Sequence, residues 1–190
     1  MTHLFVALAD YKLNARIPPR FGLRRLFNGR YIMKIKYKKA DISDIDFLTK
    51  TRIQVLRAAN KLGDSADLSA VEEESYLYYQ KALNNDKHVA YLVFDDNLIV
   101  GTGGVSFYTV MPTYHNPKGE KAYIMNMYTH PEYRRKGIAY KTLELLVGEA
   151  KARNISYISL EATEAGRPLY EKFGFVQMTD EMLLPQTLSI

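Results

Sequence analysis

The chain has 190 residues, 47% hydrophobic, 12% aromatic and 25% charged, which is ordinary for one globular domain with a full core. It contains no cysteine, so disulfides, thiolate metal sites, iron–sulfur clusters and a cysteine nucleophile are excluded. The net charge of +5 sits at the head: Lys12, Arg16, Arg20, Arg24, Arg25 and Arg30 face only Asp10, while residues 34–190 carry 20 cations and 20 carboxylates. A neutral body gives no reason to expect a nucleic-acid partner.

Residues 1–33 read as a basic N-terminal extension, either a disordered tail or the product of a start site placed too far upstream. They lack the serines of a transit peptide and the charged start of a secretory leader. No apolar run is long enough for a membrane span, so no membrane is expected and a cytoplasmic location is. The domain is expected over residues 34–190. It opens with a strand over Met33–Lys38.

A helix is expected after Ser43, with Ser43 as its cap and Asp46 three residues on. Ile45, Leu48, Val55, Leu56 and Ala59 share one face, and Arg52 falls within that stripe. Arg52 reads either as a snorkelling cation or as an anion contact in a cleft. Lys61–Asp64 closes the helix. A second helix, about 68–83, would bury Val71, Tyr76, Tyr79 and Leu83, with Glu72–Glu74 in its first turn, where the helix dipole favours them.

His88–Asp95 and Leu98–Tyr108 read as a hairpin around Asp96-Asn97. Gly101, Gly103 and Gly104 point to a bulge or a close backbone approach. A loop over Met111–Gly119 leads to a strand at Ala122–Thr129, stopped by His130-Pro131. Asn126 would alternate away from Met125 and Met127 and find a structural partner. A long helix follows from Gly137 to about Arg153, then a strand at Tyr157–Leu160 and a short helix at about Arg167–Phe173. Final strands are expected near Phe175–Met178 and Met182–Leu184. The order β-α-α-β-β-β-α-β-α-β-β indicates a mixed α/β sheet and not a doubly wound one.

Two stretches carry chemistry. Arg134-Arg135-Lys136-Gly137-Ile138-Ala139 puts three cations and small residues at a helix start, where free N–H groups and the helix dipole favour an anion such as a pyrophosphate. It is neither a Walker loop nor a Rossmann fingerprint. Leu169-Tyr170-Glu171-Lys172-Phe173-Gly174-Phe175 puts Tyr170 on a short helix begun by Pro168 and closed by Gly174. Tyr170 reads as a proton donor or as a packed core aromatic.

Together, about 35 residues apart, these stretches resemble the [Q/R]xxGx[G/A] and LYEKxGF motifs of the GCN5-related N-acetyltransferase (GNAT) superfamily, over about residues 34–190. The resemblance implies a mixed, mostly antiparallel sheet splayed in a V, with acetyl-CoA as co-substrate and no metal. Met127, Tyr128 and Thr129 on a bulged strand would take the acetyl and pantetheine groups. Arg134, Arg135, Lys136, Gly137, Ile138 and Ala139 would take the pyrophosphate. Tyr170 would protonate the departing thiolate.

The glutamate that some relatives carry early on the strand is replaced near Tyr123, and the base used by others falls on Glu161, which also reads as a solvated strand end. The implied activity is acetyl transfer to a primary amine by direct attack in a ternary complex. The alternative is a non-catalytic acyl-CoA sensor. The acceptor is not legible, although the early helices and the loop around Thr113–Asn116 would form its pocket. A monomer or homodimer is expected.

Overall fold

The computed structural model describes residues 33–179 and 181–182, and the backbone of 26–27 and 30–31. A two-residue antiparallel ladder joins β1 (Leu26–Phe27) to β2 (Arg30–Tyr31). Otherwise the expectation for the basic extension lies outside the described residues. The sheet that carries the domain has the order β3 (Ile35–Lys39), β4 (His88–Asp95), β5 (Leu98–Thr109), β6 (Glu120–Thr129), β7 (Tyr157–Leu160). Its pairs are antiparallel except β6 with β7, which is parallel. This is the mixed, mostly antiparallel sheet that was expected.

Helices cover both faces. α3 (Ile138–Ala152) buries Ile138, Thr142, Leu143, Leu146, Val147 and Ala150, a stripe at helical spacing. Together with Tyr170 of α4 (Arg167–Phe173), it packs on Val89, Val105, Phe107, Ala122 and Ile124. On the other face, α1 (Ile45–Asn60) and α2 (Ser69–Asn84) place Ile45, Leu48 and Tyr79 against Ala40, Ala90 and Leu92. No helix among the described residues is long and apolar enough to cross a membrane.

Several local expectations are corrected. The cap before α1 is Asp41, not Ser43: Asp41 accepts from the Ser43 N–H at 2.8 Å, and Asp44 accepts from the Asp41 N–H at 3.0 Å, a reciprocal capping box around a 3-10 turn. Along α1, Ala59 is exposed, and Thr49 and Thr51 are buried instead. In α2, Val71 and Tyr76 are exposed because only its last turns lie on the sheet, through Tyr79 and Ala82. Phe175–Met178 is not a strand; Phe175 instead packs beside Tyr170, with ring centres 6.1 Å apart. Of the strand expected at Met182–Leu184, only Met182 is described, and it is exposed.

The glycine signal in β5 proves to mark two bulges. Val93 pairs with Gly101 and Phe94 with Ile99, which leaves Val100 as an extra residue in β5. Gly104 pairs with Met125 and Thr102 with Tyr128, so Asn126 and Met127 together oppose Gly103. The second bulge therefore belongs to β6, where Asn126 has φ +56°. A Cβ built on Gly103 would stand 2.6 Å from the Met127 sulfur and 2.8 Å from Thr142, so glycine here admits the bulge beneath α3.

Candidate active site

The bulge sits where the sheet opens. β6 and β7 pair only from Lys121↔Tyr157 to Ile124↔Leu160. Beyond that point β7 ends, while β6 runs on to Thr129 paired with β5 alone. A bulge bends its strand and sharpens the twist, which draws β6 away from β7. The result is a split whose β6 wall is Met125–Thr129.

The bulge also breaks the alternation expected of Asn126. The Met125 sulfur accepts from Ser106 Oγ at 3.7 Å on the α1–α2 face, whereas Met127 packs against the α3 cluster. Asn126 is buried, and its Oδ1 finds no hydrogen-bond partner among the described residues, contrary to the structural partner expected for it. Thr129 Oγ1, a few residues on, is also buried and without a partner among the described residues. Such atoms are costly unless something satisfies them, so this wall is chemically unfinished.

At the end of β6, a 3-10 turn over Pro131–Tyr133 leads to Gly137, the N-cap of α3, at φ +80°. Arg135 is also left-handed, at φ +61°. The first backbone bond into the helix runs from the Lys141 N–H to the Gly137 carbonyl, 3.0 Å. The N–H groups of residues 136–139 have no acceptor among the described residues. A Cβ placed on Gly137 would meet nothing within 4 Å, so the space above this cradle is open. Arg134 Nε donates to the Thr129 carbonyl at 3.2 Å, and the Lys136 ammonium lies 4.9 Å from the centre of the Tyr133 ring. The cradle therefore joins the end of the split to an anion-favouring helix start. Open space and donors lie at one end of this groove, and side-chain atoms without a partner among the described residues lie at the other.

Sequence reasoning missed the brace behind this turn. Tyr133, buried, donates its hydroxyl to Asp95 Oδ2 at 2.8 Å, and Asp95 Oδ1 accepts from the Lys34 N–H at 2.9 Å. This ties the cradle to the β4–β5 hairpin and to the entry of β3. The partners are far apart in sequence, so no local pattern announces them.

The remaining candidates flank the split from opposite faces. Tyr170 lies in the α3-side core and is 8% exposed; burial pushes its phenol up, so it keeps its proton at neutral pH. α4 forms as expected, with Pro168 in its first turn and Gly174 closing it at φ +112°. Glu161 is exposed, directly after the last β7 residue. Tyr123, on the α1–α2 face, is pushed up to about 12, first by burial and then by the charge and hydrogen bonding of Glu161. Tyr123 thus stands near the Glu161 carboxylate at the split. The Thr113–Asn116 loop closes on itself through one bridge, with Tyr114 almost fully exposed.

The same face holds a polar cluster that the sequence did not reveal. Tyr78 Oη is 2.5 Å from Ser106 Oγ and 3.1 Å from His88 Nδ1, and the latter two atoms are 3.0 Å apart. His88 is buried, with Nε2 unpartnered among the described residues, and burial pushes its ring down to about 4. The folded state therefore binds this proton less tightly than the unfolded chain does. Stability should be full above pH 6.5 and fall on acidification toward pH 4, with a slope from this group of up to about 1.4 kcal/mol per pH unit. Urea melts of the chain and of His88→Gln check this: the variant should lose part of the slope between those values. Among the described residues, no group of three His, Asp or Glu side chains could hold a metal ion.

The chain belongs to the acetyltransferase (GNAT) family, whose model matches residues 56–175. It is 39% identical to a predicted acetyltransferase from Clostridium acetobutylicum, whose crystal structure was solved with acetyl-CoA. That match covers 80% of this chain and 96% of the other, with a TM-score of 0.73. A GCN5-related N-acetyltransferase from Ralstonia eutropha shares the fold at 23% identity, covering 80% and 98%, with a TM-score of 0.69. Glucosamine-6-phosphate N-acetyltransferase from Arabidopsis thaliana shares it at 19% identity, covering 80% and 98%, with a TM-score of 0.60. Comparison with curated proteins finds no match.

Proposed function

We propose that the chain is an acetyl-CoA-dependent N-acetyltransferase that transfers the acetyl group to a primary amine by direct attack in a ternary complex. The observation that carries this reading is the β6–β7 split running into the open cradle at Gly137. The Clostridium relative solved with acetyl-CoA supports the choice of co-substrate. N–H groups of residues 135–139 take the pyrophosphate, aided by Arg134, Arg135 and Lys136. Met127, Tyr128 and Thr129 line the acyl end, where a backbone N–H aimed at the thioester carbonyl stabilises the charge that develops on its oxygen.

The amine nitrogen bonds to the acetyl carbon and the carbon–sulfur bond breaks. The proton lost by nitrogen goes to Glu161, directly or through water, and Tyr170 supplies one to the sulfur. Tyr123 orients the Glu161 carboxylate. Holding both substrates in one groove supplies proximity.

Tyr123, standing where some relatives have a glutamate, favours a second reading, an acyl-CoA sensor without turnover. Initial rates of CoA release, with both acetyl-CoA and amine varied, separate the two. The transferase reading expects intersecting double-reciprocal lines. Parallel lines would refute direct attack, and saturable acetyl-CoA binding without release on any amine would favour the sensor.

A further inference from the structure

On α1, Ile45, Leu48 and Val55 are buried, and helical spacing puts Arg52 in the middle of their stripe, one turn after Leu48. A snorkelling arginine belongs at the edge of an apolar stripe, where its head reaches water around the side. Arg52 is half-buried, and among the described residues it has no carboxylate within 4.0 Å and no hydrogen-bond partner. Arg57, on the same helix, differs: its guanidinium donates to the carbonyls of Gly63 and Ala66 and so holds the loop after α1. Arg52 has no such structural task.

Its surroundings also await a partner. Thr49, on the same stripe, is 4% exposed, and its Oγ1 has no partner among the described residues. Arg52 lies close enough to Tyr78 and Tyr79 for its charge to act on both phenols against the effect of burial. The Tyr78–Ser106–His88 cluster beside it is neutral at physiological pH, so it does not compensate the cation. α1 starts over β4, through Ile45 and Leu48, and also approaches β6, the wall of the split. Register puts His88, Ser106 and Tyr123 side by side on this same sheet face, with Glu161 two residues beyond Ser159, the β7 partner of Tyr123. One face of the sheet thus presents a half-buried cation under α1 and a carboxylate at the split.

We infer that the acetyl acceptor is an amine that also carries a carboxylate or phosphate, with Arg52 and the Thr49 hydroxyl receiving the anion while the amine lies toward Glu161. This rests on the transferase reading above. A half-buried cation without a counter-charge is unfavourable until an anion arrives, so an acceptor lacking the anion forfeits that gain.

Two matched pairs of amines test the inference: L-leucine against L-leucinamide, and O-phosphoethanolamine against ethanolamine. Each is titrated by calorimetry into the full chain saturated with CoA, and each is assayed for CoA release with acetyl-CoA. The expected result is that the anionic member of at least one pair binds at least about tenfold more tightly, a difference of about 1.4 kcal/mol. In Arg52→Gln the ratio should collapse to within about twofold, with unchanged melting, and Arg52→Lys should retain most of it. The collapse should appear in KM rather than kcat. Equal binding within both pairs, no binding of either anionic amine, or a ratio that survives Arg52→Gln overturns the inference. Because the binding arm needs no turnover, anion-selective binding without CoA release would sink the transferase reading alone, whereas release without anion selectivity would sink only the role of Arg52.

Discussion

Gly137→Asp is expected to weaken acetyl-CoA binding at least about tenfold, or about 1.4 kcal/mol. Gly137 is the left-handed N-cap of α3, and a Cβ built there meets no atom within 4 Å beyond its chain neighbours. The substitution therefore starts into open space. Its carboxylate enters the space proposed for the pyrophosphate, beside donors that would otherwise hold an anion. Backbone strain at φ +80° is a second effect, on the order of 1 kcal/mol. Gly137→Ala carries the same strain without charge and serves as the control. Calorimetry should find Asp clearly weaker than Ala. Equal dissociation constants for the two variants would move the phosphate site away from this turn.

Tyr170→Phe should lower kcat by about 10²-fold or more while barely changing acetyl-CoA affinity, because general-acid groups typically contribute about 10²–10⁴-fold. The ring packs in the α3-side core and against Phe175, and phenylalanine keeps those contacts. Burial is the one influence on the hydroxyl's titration, with no hydrogen bond contributing, so its loss strands no protein partner among the described residues. Steady-state rates and a thermal melt read the two roles separately. A rate within about twofold of the parent would remove Tyr170 from the chemistry and leave it a core residue.

Features set by local chemistry were legible in the sequence. Gly137 marks the start of α3, and Pro168 with Gly174 brackets α4, because proline sets φ by itself and glycine admits the left-handed turn. The β4–β5 hairpin announced itself through alternation around a two-residue turn. Features set by pairing were harder to see. The bulge at Asn126 uses a left-handed residue that is not glycine, and its only outward sign was Gly103 on the neighbouring strand. The Tyr133–Asp95 brace and the Tyr78–Ser106–His88 cluster join residues 10 to 38 positions apart, and register alone brings them together. On α2, exposed Val71 and Tyr76 imitate a buried face, since periodicity does not say how much of a helix touches the sheet.

The central claim is that this chain moves an acetyl group from a thioester to an amine without holding it. Acetyl-CoA labelled in its acetyl group, incubated with the full chain and a panel of primary amines and followed by mass spectrometry, tests it most directly. The account predicts label on an amine nitrogen, one CoA released per label transferred, and no labelled protein at any time point. Label accumulating on the protein, or acetyl-CoA bound yet intact in the presence of every amine, would contradict it.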